Sequence, residues 1–94
     1  MAIDNKDVLN INLDIKLRYK SHTDSIMSST VLNDGRFATC SSDKSIIIYN
    51  SKTFKPEIII KEHDSVVNNI LKLSSGMLAS CSDDNTIKIF NIKL

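Results

Sequence analysis

An all-β fold made of two copies of one multi-stranded unit is what this sequence predicts, and three observations carry it. The stretch Phe37–Asn50, FATCSSDKSIIIYN, returns 41 positions later as Leu78–Asn91, LASCSDDNTIKIFN. Sliding Lys20–Thr53 over Lys61–Leu94 without a gap gives twelve identities in thirty-four positions, among them His22/His63, Gly35/Gly76, Ala38/Ala79, Cys40/Cys81, Asp43/Asp84, Ile46/Ile87 and Ile48/Ile89. No segment places apolar residues at helical spacing, whereas short apolar runs sit between clusters of turn residues.

A repeat spacing in the low forties points to four-stranded antiparallel blades of a β-propeller. Taken in order, residues 1–12 read as a polar, flexible N-terminus. Leu13–Tyr19, LDIKLRY, alternates apolar and charged residues and reads as an outer strand. Ile26–Leu32 and Val67–Leu73 read as strands interrupted by a bulge, because Ile26, Ser29 and Leu32, like Val67, Ile70 and Leu73, fall three apart. Asn33-Asp34-Gly35 and Ser74-Ser75-Gly76 are hairpin turns in which glycine supplies positive φ. Arg36–Cys40 and Met77–Cys81 follow, then a polar turn, then Ser45–Tyr49 and Thr86–Phe90. Ser51–Pro56 is a connecting loop, and Glu57–Lys61 with its three isoleucines is the next outer strand. The repeat region is thus 13–94, with an outer strand at 13–19, one repeat over about 20–56 and a second over about 57–94. It forms a partial propeller whose second blade lacks an outer strand of its own.

Composition excludes several functional classes. Twelve basic residues against eleven acidic ones leave a net charge of +1, and no run of Lys/Arg concentrates a field for nucleic acid or a membrane surface. No apolar run approaches the ~18 residues of a membrane helix, and the start MAIDNKDVLN lacks a signal-peptide core. An intracellular setting, cytoplasmic or nuclear, is the expectation. Cys40 and Cys81 hold the same place in each unit and read as small apolar fillers of a strand, with a disulfide or metal pair as the lesser alternatives.

With the period, the histidine, the Asp-bearing turn and the Ile-x-Ile-aromatic ending in view, Lys20–Leu94 resembles the WD-repeat family. The chain reads Ser21-His22 and Glu62-His63 where the family has Gly-His, and Tyr49-Asn50 and Phe90-Asn91 where it has Trp-Asp. The resemblance implies a structural hydrogen-bond network of His22, Thr39, Asp43 and Tyr49 in the first repeat, and of His63, Ser80, Asp84 and Phe90 in the second. Phe90 has no donor, so the second network lacks its last link and the second repeat is expected to be the looser one. The resemblance also implies that the loops before the first inner strand and between the second and third share one propeller face where partners bind. Here that face carries Lys20, Thr23, Asp24 and Lys44, then Glu62, Asp64, Asp83 and Asn85. Its mixed signs suit polar protein recognition.

Ser80, His63 and Asp84 have the residue types of a hydrolase triad, as do Thr39, His22 and Asp43. A catalytic set would need an exposed hydroxyl, an oxyanion hole and a cleft, and would rarely recur in every structural unit; a packing network must recur. No catalytic residue is therefore assigned. His22, His63, Cys40 and Cys81 lack the spacing of a zinc site, Asp83-Asp84-Asn85 lacks that of a calcium loop, and two isolated glycines make no phosphate loop. No metal or cofactor is expected.

A seven-bladed ring at this period takes roughly 290 residues. The expectation is a non-enzymatic scaffold that binds other proteins or peptides inside a larger or assembled propeller. Leu13–Tyr19 and Thr86–Phe90 form complementary open edges, so chains adding head to tail would give rings of even blade number. The alternative is a fragment or degenerate copy of a longer propeller protein with no independent activity.

Overall fold

A computed structural model describes residues 13–92; the N-terminal residues 1–12 lie outside it. Its seven strands are β1 (Ile26–Val31), β2 (Phe37–Ser41), β3 (Ile46–Tyr49), β4 (Pro56–Ile60), β5 (Val67–Lys72), β6 (Leu78–Ser82) and β7 (Ile87–Phe90). They form two antiparallel sheets, β1-β2-β3-β4 and β5-β6-β7, and no helix is present among the described residues. The chain is therefore all-β, a four-stranded blade followed by a three-stranded one.

Both innermost strands carry the expected bulge, where pairing slips between Ile26 and Ser28 and again between Val67 and Asn69. The hairpins after them turn at Gly35 and Gly76, each with φ of 88°. Gly76 has a second reason to be glycine: a Cβ there would come within 3.0 Å of Asn33 Nδ2 in the first blade's hairpin. At the outer edge, Pro56 opens β4, a position where its missing N–H interrupts no central ladder. The Asn50 side chain shapes the loop before it, its Oδ1 accepting from the N–H groups of Lys52 and Thr53, both at 2.8 Å.

Pairing decides which side chains share a face. Ala38 lies opposite Ile48, and Cys40 opposite Ile46, while Phe37 and Thr39 pair with Tyr49 and Ile47 on the reverse face. The first set turns toward the second blade. There Ala38, Cys40, Ile46 and Ile48, with Leu32, meet Val67, Ile70 and Leu78 in one core, with Ile58, Ile60 and Phe90 packed around it. Innermost strands β1 and β5 run side by side at matched positions, as Ser28 Oγ donates to Asn69 Oδ1 at 2.8 Å. Buried Arg36 fastens the opposite end, its Nε on Asp34 at 2.7 Å and its Nη2 on the carbonyl of Ile92 at 3.2 Å.

Leu13–Tyr19 departs from expectation, because it joins no sheet. Leu13 and Ile15 are 87% and 81% exposed. Alternation equips a segment to lie on a sheet, but a strand forms only where a neighbour takes its N–H and C=O groups. The described residues contain no inner strands for it to complete.

Candidate functional site

The most ordered polar constellation ties the loop before each innermost strand to the turn between the second and third strands. In the first blade His22 Nδ1 lies 2.9 Å from Asp43 Oδ2 and Nε2 lies 2.7 Å from Thr39 Oγ1. The carboxylate selects the tautomer protonated at Nδ1, which leaves Nε2 to accept from the threonine hydroxyl. Tyr49 closes the set, its hydroxyl 3.2 Å from Thr39 Oγ1 and 2.8 Å from Ser21 Oγ. Asp43 also accepts from the N–H of Thr23 at 2.9 Å, and from the N–H and hydroxyl of Ser45 at 2.9 and 2.6 Å.

The second blade repeats the arrangement up to the aromatic. His63 Nδ1 is 2.9 Å from Asp84 Oδ2, Nε2 is 2.6 Å from Ser80 Oγ, and Asp64 N–H donates to Asp84 at 3.0 Å. Beyond the histidine, the remaining contact of Ser80 Oγ is the carbonyl of Lys88, at a long 3.5 Å. Phe90 offers no group to bond. Amide exchange in Ser80–Asp84 is therefore expected to be faster than in Thr39–Asp43, and equal protection under identical conditions would contradict the reading.

Burial works to raise the Asp43 carboxyl, but the hydrogen bonds from Ser45, Thr23 and His22 outweigh it and hold the group well below its ordinary 3.8. Asp84 is held down in the same direction, first by the Thr86 hydroxyl and then by His63 and the N–H groups of Asp64 and Thr86, against an opposing desolvation. A carboxyl whose folded value is depressed contributes stability that is fully present above its unfolded value and is lost as pH falls through the folded one. The thermal midpoint should hold to about pH 5 and drop steadily below about pH 4, and a midpoint unchanged at about pH 2.5 would contradict this.

Thr39 and Ser80 are 9% and 2% exposed, and both histidines 5%. A nucleophile must be reached by its substrate; these hydroxyls lie under the loops they hold. Chemically, the arrangement fixes backbone. Ser45 and Thr86, which bring a hydroxyl and an N–H to each aspartate, were not singled out from the sequence, and neither were Ser41 and Ser82, whose hydroxyls accept from Asp43 and Asp84 N–H at 3.0 and 3.1 Å. Their signal was the matched Ser/Thr at each position 41 apart.

The network also gathers the loops. Ser42 N–H donates to the carbonyl of Ser25, and Asp83 N–H to that of Val66. With β1 and β5 aligned, both loop clusters come to the same end of the two sheets. Lys20, Thr23, Asp24, Lys44, Glu62, Asp64, Asp83 and Asn85 are all exposed there. Lys44 and Asn85 occupy equivalent left-handed positions, with φ of 75° and 70°. Local bonds occupy part of the set: Asp24 Oδ1 accepts from Ser25 N–H at 2.7 Å, and Asp83 Oδ1 from Asn68 Nδ2 at 2.6 Å.

Two bladed sheets, a repeat of 41 residues and a duplicated His-Asp-hydroxyl network define a class of propeller repeat. Residues 14–50 and 54–91 each match the family model "WD domain, G-beta repeat". The chain belongs to the WD40 repeat family, with two tandem repeats. Each match runs from an outer-strand segment through the three inner strands of the next blade, so residues 14–19 stand where β4 stands one repeat later. No curated protein matches the chain. Repeats of this family make a protein-interaction scaffold and are generally non-enzymatic.

Proposed function

We propose that the chain is a non-enzymatic scaffold that holds a polar protein segment on the loop end of its two blades, and that it works as part of a larger or assembled propeller. The observation that carries this is the pair of buried networks. Each spends its hydrogen bonds on holding two loops in place, which pre-organises the exposed side chains between them. The eight side chains at that end include two lysines against four carboxylates. A partner segment with basic residues fits this balance, while nucleic acid and anionic membrane do not. An intracellular setting suits the two free cysteines, one of them exposed.

Charge reversal at Asp64 and Asp83, set beside the unaltered chain in quantitative affinity capture, tests the reading. Partners retained by the chain should be lost with the reversed loop end and kept when exposed Lys72, at the opposite end, is reversed. A partner set indifferent to the loop end would overturn it. The competing reading, a piece of a longer propeller without activity of its own, draws on the exposed Leu71, Ile87 and Ile89 of the second blade. A cooperative thermal transition of the isolated chain would weigh against it.

A further inference from the structure

The outer face of the second blade is an apolar surface with no cover among the described residues. Leu71, Ile87 and Ile89 are 61%, 74% and 52% exposed, and Cys81 is exposed between them. Ala79, Cys81, Ile87 and Ile89 on this face are the repeat equivalents, identical in type, of Ala38, Cys40, Ile46 and Ile48. Those four residues, at 0–1% exposure, form the first blade's side of the interface between the blades. The chain thus carries the same side chains twice, covered once and bare once, and the covered copy shows what shape of surface they accept.

That surface is the face of a blade built like β5–β7, entered by Val67, Leu78 and Phe90. Its equivalents on the first blade are Ile26, Phe37 and Tyr49. Ile26 is 58% exposed and Phe37 half-buried, while Tyr49 lies beneath them at 4% exposure, stacked on Phe37 at 4.5 Å and under Tyr19 at 6.3 Å on the side away from the second blade. The apolar surface this end presents is therefore that of Ile26 and part of Phe37, at the positions of Val67 and Leu78 in the covered interface. Among the described residues β7 is a free edge of its sheet, and Leu13–Tyr19, which is in no strand, precedes the first blade.

We propose that the β5–β7 sheet packs its outer face on the first blade of a second copy of this chain, whose Leu13–Tyr19 pairs with the open edge of β7. The register follows from β3 and β4, where Ile46, Ile47 and Ile48 pair with Ile60, Ile59 and Ile58. Shifted by one repeat, Ile87 lies opposite Tyr19, Lys88 opposite Arg18 and Ile89 opposite Leu17 of the second copy. The contact is head-to-tail, so it propagates or closes, and closed assemblies carry an even number of blades. It deepens the scaffold reading by naming what completes the propeller. The two stand apart experimentally, because the loop end and this face share no residue.

Sedimentation velocity of the full chain from about 1 to about 100 µM, with maleimide labelling of Cys81 at each concentration, is the test. Cys40 is the internal reference, since burial pushes its thiol up to about 11 and keeps it unreactive. Assembly should raise the mass in steps of whole chains and slow Cys81 labelling about tenfold once the chain is well above its dissociation constant. Ile87→Asp, at a side chain already exposed in the single chain, should leave the folded circular dichroism intact and hold the protein as a monomer. Arg18→Glu, at an exposed side chain without a described hydrogen bond, exchanges a like-charge pair with Lys88 for an attractive one and should tighten association by about two- to fivefold. A single-chain mass across the range with unchanged Cys81 labelling would overturn the proposal, and so would association that survives Ile87→Asp. Association unchanged or weakened by Arg18→Glu would overturn the strand register. A partner set indifferent to loop-end reversal, with assembly intact, would count against the binding reading alone.

Discussion

Asp43→Ala is expected to destabilise the chain by about 3 kcal/mol, at or near the largest effect of any single polar substitution in the molecule. The reason is what the carboxylate leaves behind. His22 Nδ1, the N–H groups of Thr23 and Ser45, and the Ser45 hydroxyl all direct hydrogen bonds at it, and His22 and Ser45 are buried at 5% and 4% exposure. A buried donor without an acceptor costs about 1–3 kcal/mol. Water entering the turn can restore some of the bonds but not the one under the loop. The neighbouring Lys44→Ala, which removes no described hydrogen bond of its side chain, should stay within about 0.5 kcal/mol. Urea midpoints of the two variants give the comparison, with an unchanged m-value certifying that stability alone has moved. Equal midpoints would mean that the network is ornamental and that the hairpin holds its own geometry.

How much of this was legible in the sequence depends on whether the information was local. His22, Asp43 and the hydroxyl partners of each histidine could be placed because the second copy repeats them at a fixed offset, and a packing device must recur wherever its blade recurs. Ser45 and Thr86 stayed hidden because a hydroxyl beside an aspartate in a polar turn looks like any solvated turn residue; only geometry shows it aimed at the carboxylate. The positive φ of Phe54, 62°, had no signal at all, since a bulky side chain normally argues against that conformation. Leu13–Tyr19 failed for a different reason. Period-two alternation reports which face a segment can bury, whereas strand formation is a pairwise event whose partner lies outside the segment. The two bulges were readable because Val67, Ile70 and Leu73, apolar at a spacing of three, conflict with an unbroken ladder and Ile26, Ser29 and Leu32 repeat the spacing 41 residues earlier; the slips at Val67/Asn69 and Ile26/Ser28 resolve that conflict.

Ile48→Ala and Ile89→Ala make the sharper experiment, because the same residue is cut from the same place in each repeat. Ile48 is fully buried between the blades, and its loss should cost about 3–4 kcal/mol, a transfer term plus an unfilled cavity. Ile89 is 52% exposed, so in dilute solution its loss should cost less than about 1 kcal/mol. Intrinsic strand propensity is the same for both, and the two strands share their antiparallel pairing with the preceding one. The difference, at least about 2 kcal/mol, therefore measures what a neighbouring blade and a fourth strand contribute together through one side chain, since Ile48 also pairs with Ile58 of β4 while β7 is an edge. It also decides whether stability in this chain is local or borrowed. Stacked repeats hold together as a sum of unit and interface terms, so the deficit at Ile89 marks an interface term that a single chain leaves unrealised. If the cost of Ile89→Ala rises toward that of Ile48→Ala as protein concentration increases, the missing term is being supplied by another molecule. A cost that stays small at every concentration would mean that the second blade is stable with its outer face in water, and that the matching residues are an inheritance of duplication without an energetic role.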